Sequence, residues 1–202
     1  MGSDESKTKY AAIKVEIESS AGANLHQEFL TMKAIGKHDH IIEYLECAKE
    51  INRYFNENYF GRTTRITYLA LEYAPNGNLL DYLNGKEKVD EKWVRYWFRQ
   101  ILAGLKHIKS RGFSHLDIKC ENILLDGDLN IKICDFTFSR LNDRRINNYC
   151  GSEWYRAPEI CRKHPFDGEK ADVFALAVVL FACMMRSFPA SEKYNVTDSP
   201  KY

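Results

Sequence analysis

Hydrophobic and polar positions along the chain follow two periods, and the places where one gives way to the other outline its elements. Residues 10–17 contain an apolar–polar alternation with Lys14 inside it, which predicts a strand. Over 25–35 the period becomes helical, with Leu25, Phe29 and Met32 on one side and Glu28 within reach of that side. Residues 66–73 form a strong strand pattern, ended by Pro75 and Gly77. A short helix over 79–83 follows, with Asn78 placed to cap it. The clearest helix covers 90–109, where Val94, Trp97, Ile101, Leu105 and Ile108 recur at three- and four-residue spacing behind a capping Asp90. Two short apolar runs, 123–125 and 131–134, flank Asp126-Gly127-Asp128 and predict a small hairpin. Residues 136–159 are polar, irregular and rich in Arg and Asn, so a long surface loop is expected there. A mostly apolar helix is expected over 171–185, and the tail from 186 shows little pattern. The order is a strand-rich part over 1–73, then a helical part over 74–202, with the cleft between them as the natural binding site.

Composition narrows the possibilities. The 29 Lys plus Arg nearly balance the 28 Asp plus Glu, so nothing in the charge favours nucleic acid or an anionic membrane. The six cysteines show neither a CxxC pair nor a zinc spacing, which predicts free thiols in a reducing compartment. No basic segment leads into an apolar run at the N-terminus, so no signal peptide is visible. The longest apolar run, 173–185, is too short to span a bilayer. A cytoplasmic or nuclear protein without a membrane span is expected; its oligomeric state is left open.

Candidate chemistry concentrates in one stretch. Residues 115–122 read His-Leu-Asp-Ile-Lys-Cys-Glu-Asn, and Asp135 follows thirteen residues after Asn122. Phosphoryl transfer from a metal-bound nucleotide needs charge neutralisation, held metal ions and an oriented acceptor hydroxyl rather than covalent help. Asp117 is the candidate base or hydroxyl-orienting group, with Lys119 beside it to offset developing negative charge. Asn122 and Asp135 both offer oxygen to magnesium, a hard cation. Upstream, Lys14 is the candidate cation for the inner phosphates, and Glu28 the helix carboxylate that would hold it. Read singly, an edge lysine or a turn aspartate is ordinary; together and in this order they are harder to dismiss.

In these motifs the chain resembles the eukaryotic protein kinases. Ala11-Ala12-Ile13-Lys14 stands where that family has its strand lysine, and Glu28 where it has the helix glutamate. Leu71-Glu72-Tyr73-Ala74 looks like the gatekeeper and hinge, so the resemblance makes Glu72 and Ala74 adenine-binding positions, together with Leu124. The run His115 to Asn122 resembles the catalytic loop, Asp135-Phe136-Thr137 the metal-binding triplet, and Ala157-Pro158-Glu159 the end of the activation segment. Asp172 stands where the family has the residue that anchors the catalytic loop. The resemblance implies a two-lobed α+β kinase fold, ATP and Mg2+ as cofactors, and a protein substrate with a Ser or Thr acceptor. Lys119 and Gly151-Ser152 follow the serine/threonine pattern, and Asn76-Gly77-Asn78-Leu79-Leu80 is similar to calcium/calmodulin-dependent and AMP-activated kinases.

Three departures stand out. Leu116 replaces the arginine that in the family precedes the catalytic aspartate, so it cannot pair with a phosphorylated residue such as Ser139, Tyr149 or Ser152. Thr137 replaces a glycine, which predicts backbone angles that a β-branched residue disfavours and a triplet less free to flip. The third concerns the ends. No GxGxxG occurs, residues 2–9 look like a turn into the lysine strand, and the family's first two strands and last helices are expected to be missing. The alternative expectation is therefore a catalytically impaired pseudokinase or scaffold that uses the same fold.

Overall fold

The computed structural model describes residues 10–17, 25–52, 64–86, 88–142 and 145–189. The turn expected at 2–9 and the tail from 190 onward lie outside the described residues.

The first part is a three-stranded antiparallel sheet, β1 (Ala11–Ile17), β2 (Tyr44–Asn52) and β3 (Thr64–Glu72), with β3 in the centre, and a helix α1 (Leu25–Ile35) against it. On β1 the usual alternation is inverted. Ile13 and Val15 are exposed, while Lys14 and Glu16 face inward and are half-buried. Glu16 then accepts a hydrogen bond from the N–H of Leu25 at 3.0 Å, satisfying one of the open donors at the start of α1. That helix buries Leu25, Glu28, Thr31, Met32 and Ile35, so Glu28 lies within the buried face rather than beside it. Strand β2 has no counterpart in the sequence reading. Charged residues interrupt its pattern, and its register shifts between Tyr44 and Glu46, which breaks the two-residue period that would announce it.

The second part holds α2 (Leu79–Asn84), α3 (Glu91–Ser110), a two-residue strand β4 (Phe113–Ser114), and the hairpin β5 (Ile123–Leu125) with β6 (Ile131–Ile133). Both predicted caps are present: Asn78 Oδ1 accepts from Asp81 N and Asp90 Oδ1 from Lys92 N, each at 2.9 Å. The wide stripe of α3 buries Val94, Trp97, Ile101 and Ile108. One apolar cluster runs from Met32, Ile35 and Leu69 through Trp97, Ile123 and Ile133 to Leu176 and Val179. The segment after α1 is bonded to β6 in both directions, Ile42 N to Ile133 O and Ile133 N to His40 O, each at 2.9 Å.

The surface-loop expectation for 136–159 needs correction. That stretch contains β7 (Arg140–Leu141), which pairs with β4, and a 3₁₀ turn over Glu153–Tyr155. It also buries Phe136, Ser139, Ile146, Cys150, Tyr155 and Ala157. Its polar residues alternate with single apolar ones that reach inward separately, so no period marks the burial. A short helix α4 (Pro158–Cys161) closes it, and α5 (Gly168–Met185) follows. Helix α5 begins earlier than its apolar run because Asp167 accepts from the N–H groups of Glu169 and Lys170. The six cysteines are free thiols. Among the described residues no helix is long and apolar enough to cross a membrane.

Candidate active site

The inverted face of β1 and the buried face of α1 bring Lys14 and Glu28 together. Lys14 Nζ donates to both Glu28 oxygens, at 2.8 and 2.9 Å, and to Asp135 Oδ1 at 3.1 Å. Burial depresses the charged form of Lys14, but the bonds and charge of Glu28, then of Asp135, outweigh it and hold the ammonium above its ordinary value. Burial pushes the other way on Asp135 too; the hydroxyl bond of Thr137 and the charge of Lys14 prevail and keep its carboxyl below the usual range. Lys14 and Asp135 therefore stay charged together.

The stretch 115–122 is fixed from below by Asp172 on α5. Its carboxylate accepts the N–H of His115 on Oδ2 and that of Leu116 on Oδ1, both at 2.7 Å. His115 Nδ1 accepts from Asp117 N at 3.2 Å, and its Nε2 donates to the Cys134 carbonyl at 3.0 Å, so the ring is neutral and spans the two loops. Burial also lowers the His115 pKa. Above this floor Asp117 is buried, yet each of its oxygens is engaged. Ser152 Oγ donates to Oδ1 at 2.8 Å; Asn122 Nδ2 donates to Oδ2 at 2.9 Å, and Lys119 Nζ lies 3.1 Å from Oδ2. Lys119 also donates to Ser152 Oγ at 2.8 Å.

Asn122 and Asp135 come together through the hairpin. Ile123 pairs with Ile133, and Cys134 N donates to the Asn122 carbonyl at 2.9 Å, so the two residues flank the open end of β5 and β6. The amide nitrogen of Asn122 is committed to Asp117, at its backbone and carboxylate oxygens, which leaves its Oδ1 without a described partner. Asp135 receives Lys14 and Thr137 on Oδ1, and no described side chain binds Oδ2. Two oxygen donors suit a magnesium ion that draws its remaining ligands from phosphate and water. No group of three or more His, Cys, Asp or Glu able to hold a metal by itself occurs among the described residues.

The three expected adenine positions lie at the other wall of the cleft. The Glu72 side chain is turned away from the site, accepting from Glu43 N at 3.2 Å and pairing with Lys132 Nζ at 2.8 Å. Its backbone N–H is bonded to the Glu43 carbonyl at 2.8 Å, so of Glu72 only the carbonyl is left for a ligand. Ala74 gives its carbonyl to Gly77 N in the turn, and its N–H has no described partner. Leu124 is half-buried on β5, bridged to Asn78 just after that turn.

Two readings of the departures change. Left-handed backbone angles fall on Leu116 (φ 68°) and Asp135 (φ 66°), not on Thr137, so the threonine is not strained in the way expected. Its side chain is engaged instead: Thr137 Oγ1 lies 2.7 Å from Asp135 Oδ1 and 3.2 Å from Glu28 Oε2. Leu116 does more than remove an arginine. It is buried in an apolar cluster with Ile146, Cys150, Ala157, Ile160, Phe166 and Ala171, beneath the segment that arginine would help to order. The hydroxyl roles of Ser152 and Thr137 were not legible beforehand. The sequence pointed to Gly151-Ser152 only through its serine/threonine pattern, and in the structure Gly151 precedes Ser152 at φ 81°.

Comparison with known proteins agrees with this geometry. Residues 2–200 match the family described as Protein kinase domain. The chain is 34% identical over 178 residues to a serine/threonine-protein kinase SIK3 homolog of Danio rerio, covering 87% of the chain and 14% of that protein. It is 33% identical over 188 residues to the serine/threonine-protein kinase kin-29 of Caenorhabditis elegans, 91% of the chain and 21% of that protein. With NUAK family SNF1-like kinase 1 of Mus musculus it shares 38% over 123 residues, 60% of the chain and 19% of that protein. The chain thus spans about a fifth or less of the length of these relatives. A match along nearly the whole chain, joined to a lysine–glutamate–aspartate cluster beside a buried loop aspartate, places this chain in the protein kinase domain family.

Proposed function

We propose that the chain transfers the γ-phosphoryl group of ATP to a Ser or Thr hydroxyl of a protein substrate, with residues 1–73 and 74–202 as the two walls of the nucleotide cleft. The observation that carries this is the ion cluster: one ammonium, Lys14, holds Glu28 and Asp135 together across the cleft without ligand. That pre-organisation is what a largely electrostatic reaction requires.

When bound, Mg2+ supplies neutralisation of the phosphate charge. Lys14 would bind the inner phosphates, and Asp135 Oδ2 and Asn122 Oδ1 would hold the cation. The Glu72 carbonyl and the Ala74 N–H would bind adenine against Leu124. Asp117 accepts the hydrogen bond of the incoming hydroxyl and orients its oxygen toward phosphorus. The Ser152 hydroxyl, 2.8 Å from Asp117 Oδ1, already makes that kind of contact. Lys119, 3.1 Å from Asp117 Oδ2, is close enough to offset negative charge on the transferring group. The serine/threonine assignment is supported by Lys119, by Gly151-Ser152 and by the names of the relatives.

Thermal melting with and without ADP tests the reading, in Mg2+ and in chelator, for the chain and its Asp135→Asn variant. The expected result is an ADP-dependent rise in Tm that needs Mg2+ and falls in the variant. No rise, or an equal rise in both proteins, contradicts it.

A further inference from the structure

Thr137 carries the only side-chain hydroxyl among the described residues that lies within hydrogen-bond distance of both Asp135 and Glu28. Its Oγ1 is 2.7 Å from Asp135 Oδ1 and 3.2 Å from Glu28 Oε2, while Phe136 N donates to Glu28 Oε1 at 3.2 Å. Helix α1 is thus tied directly to this segment through the Phe136 N–H, and to Asp135 through Lys14, which bonds both carboxylates. The hydroxyl has one proton, and the shorter contact assigns it to Asp135.

We propose that Thr137 is a positioning residue for the divalent cation: its hydroxyl and Lys14 together occupy Asp135 Oδ1, fixing the carboxylate so that Oδ2 alone faces the metal. The inference rests on the reading that Asp135 holds the cation. A carboxylate rotates about its terminal bond with little resistance, so one contact from a half-exposed lysine fixes it poorly. Two donors converging on one oxygen from different sides define its plane. Asp135 also sits at φ 66°, a conformation held only by its surroundings, and the hydroxyl two residues on is one of the few polar contacts on that side chain. The residue that displaces glycine here adds an anchor to the metal-holding position and does not strain it.

The test titrates Mg2+ against the ADP-induced rise in Tm for the full chain and for Thr137→Val, Thr137→Ser and Asp135→Asn. Valine keeps the shape and removes the hydroxyl; serine restores it. Thr137→Val should raise the Mg2+ midpoint about ten-fold, the size expected for loss of a hydrogen bond to a charged group. Thr137→Ser should return it to near the wild-type value, and Asp135→Asn should abolish the Mg2+-dependent part. Loss of Tm without Mg2+ does not enter the midpoint, so a purely structural role leaves it unmoved. A wild-type midpoint in Thr137→Val, or a failure of serine to restore it, overturns the inference alone. A wild-type chain whose melting ignores Mg2+ overturns it together with the functional reading beneath it.

Discussion

The backbone N–H of Leu116 donates to Oδ1 of Asp172 at 2.7 Å, although the two lie 56 residues apart in sequence. The second oxygen of Asp172 holds His115 N at the same distance, so one carboxylate on α5 sets the height of the loop that presents Asp117. Asparagine can accept only one of these bonds and turns its own N–H groups toward the other donor. Asp172→Asn is therefore expected to lower stability by about 2–3 kcal/mol and to cut phosphotransfer more than nucleotide binding. Chemical denaturation with parallel activity measurements checks both.

Leu116 also fills the apolar cluster beneath the activation segment. Restoring the family's arginine would put a charge among Ile146, Ile160 and Phe166, so Leu116→Arg should destabilise the chain by several kcal/mol or about that. Leu116→Met should cost less than about 1.5 kcal/mol. Since no arginine stands at 116 to meet a phosphate, phosphatase treatment of an active form should leave its rate unchanged. A large loss on treatment would show another cation reading the phosphate.

Gly151 has φ 81°, and a Cβ added there would meet the Leu116 carbonyl oxygen at 2.7 Å. Gly151→Ala combines that clash with a left-handed conformation that costs an L-residue about 1–2 kcal/mol. The shift would draw Ser152 away from Asp117. The expected signature is a fall in kcat with a smaller change in the KM for ATP, read from steady-state kinetics.

His115 and Asp172 give opposite pH dependences within the same window. Burial lowers the His115 pKa, so its contribution to stability is present above the unfolded value of about 6.5 and lost as pH falls below it. Burial pushes Asp172 up to about 7, so the folded state binds its proton more readily and this group's contribution declines as pH rises from about 4 toward 7. Between pH 7.5 and 5.5, His115→Gln should gain stability on acidification relative to wild type, and Asp172→Asn should lose it. Melting curves across that range decide the matter, and parallel slopes in the three proteins would contradict it.

Much of this site could be read from the sequence, because its residues occupy short motifs whose order is itself informative. Lys14 lies against Glu28 and Asp135, and Asn122 against Asp117, each within hydrogen-bond distance. The helices α1 and α3 were legible from period and caps. What escaped notice depends on contacts between segments. β2 hides behind its register shift, and the burial of Ser139 and Cys150 comes from single residues in a polar run. The place of Thr137 beside both Asp135 and Glu28 brings together residues far apart in the chain, which no local pattern announces. The inverted face of β1 is the most instructive case: alternation located the strand, yet the polar side was the one that mattered.

The most direct measurement of the central claim is phosphate transfer from γ-labelled ATP to a generic Ser/Thr protein substrate, comparing the chain with its Asp117→Asn form. The account predicts Mg2+-dependent incorporation on Ser or Thr that falls by two or more orders of magnitude, roughly the contribution of a positioned acid–base group, in Asp117→Asn, with ADP binding retained. Equal incorporation by both proteins, or none by the wild-type chain while it binds ADP and Mg2+, would contradict it.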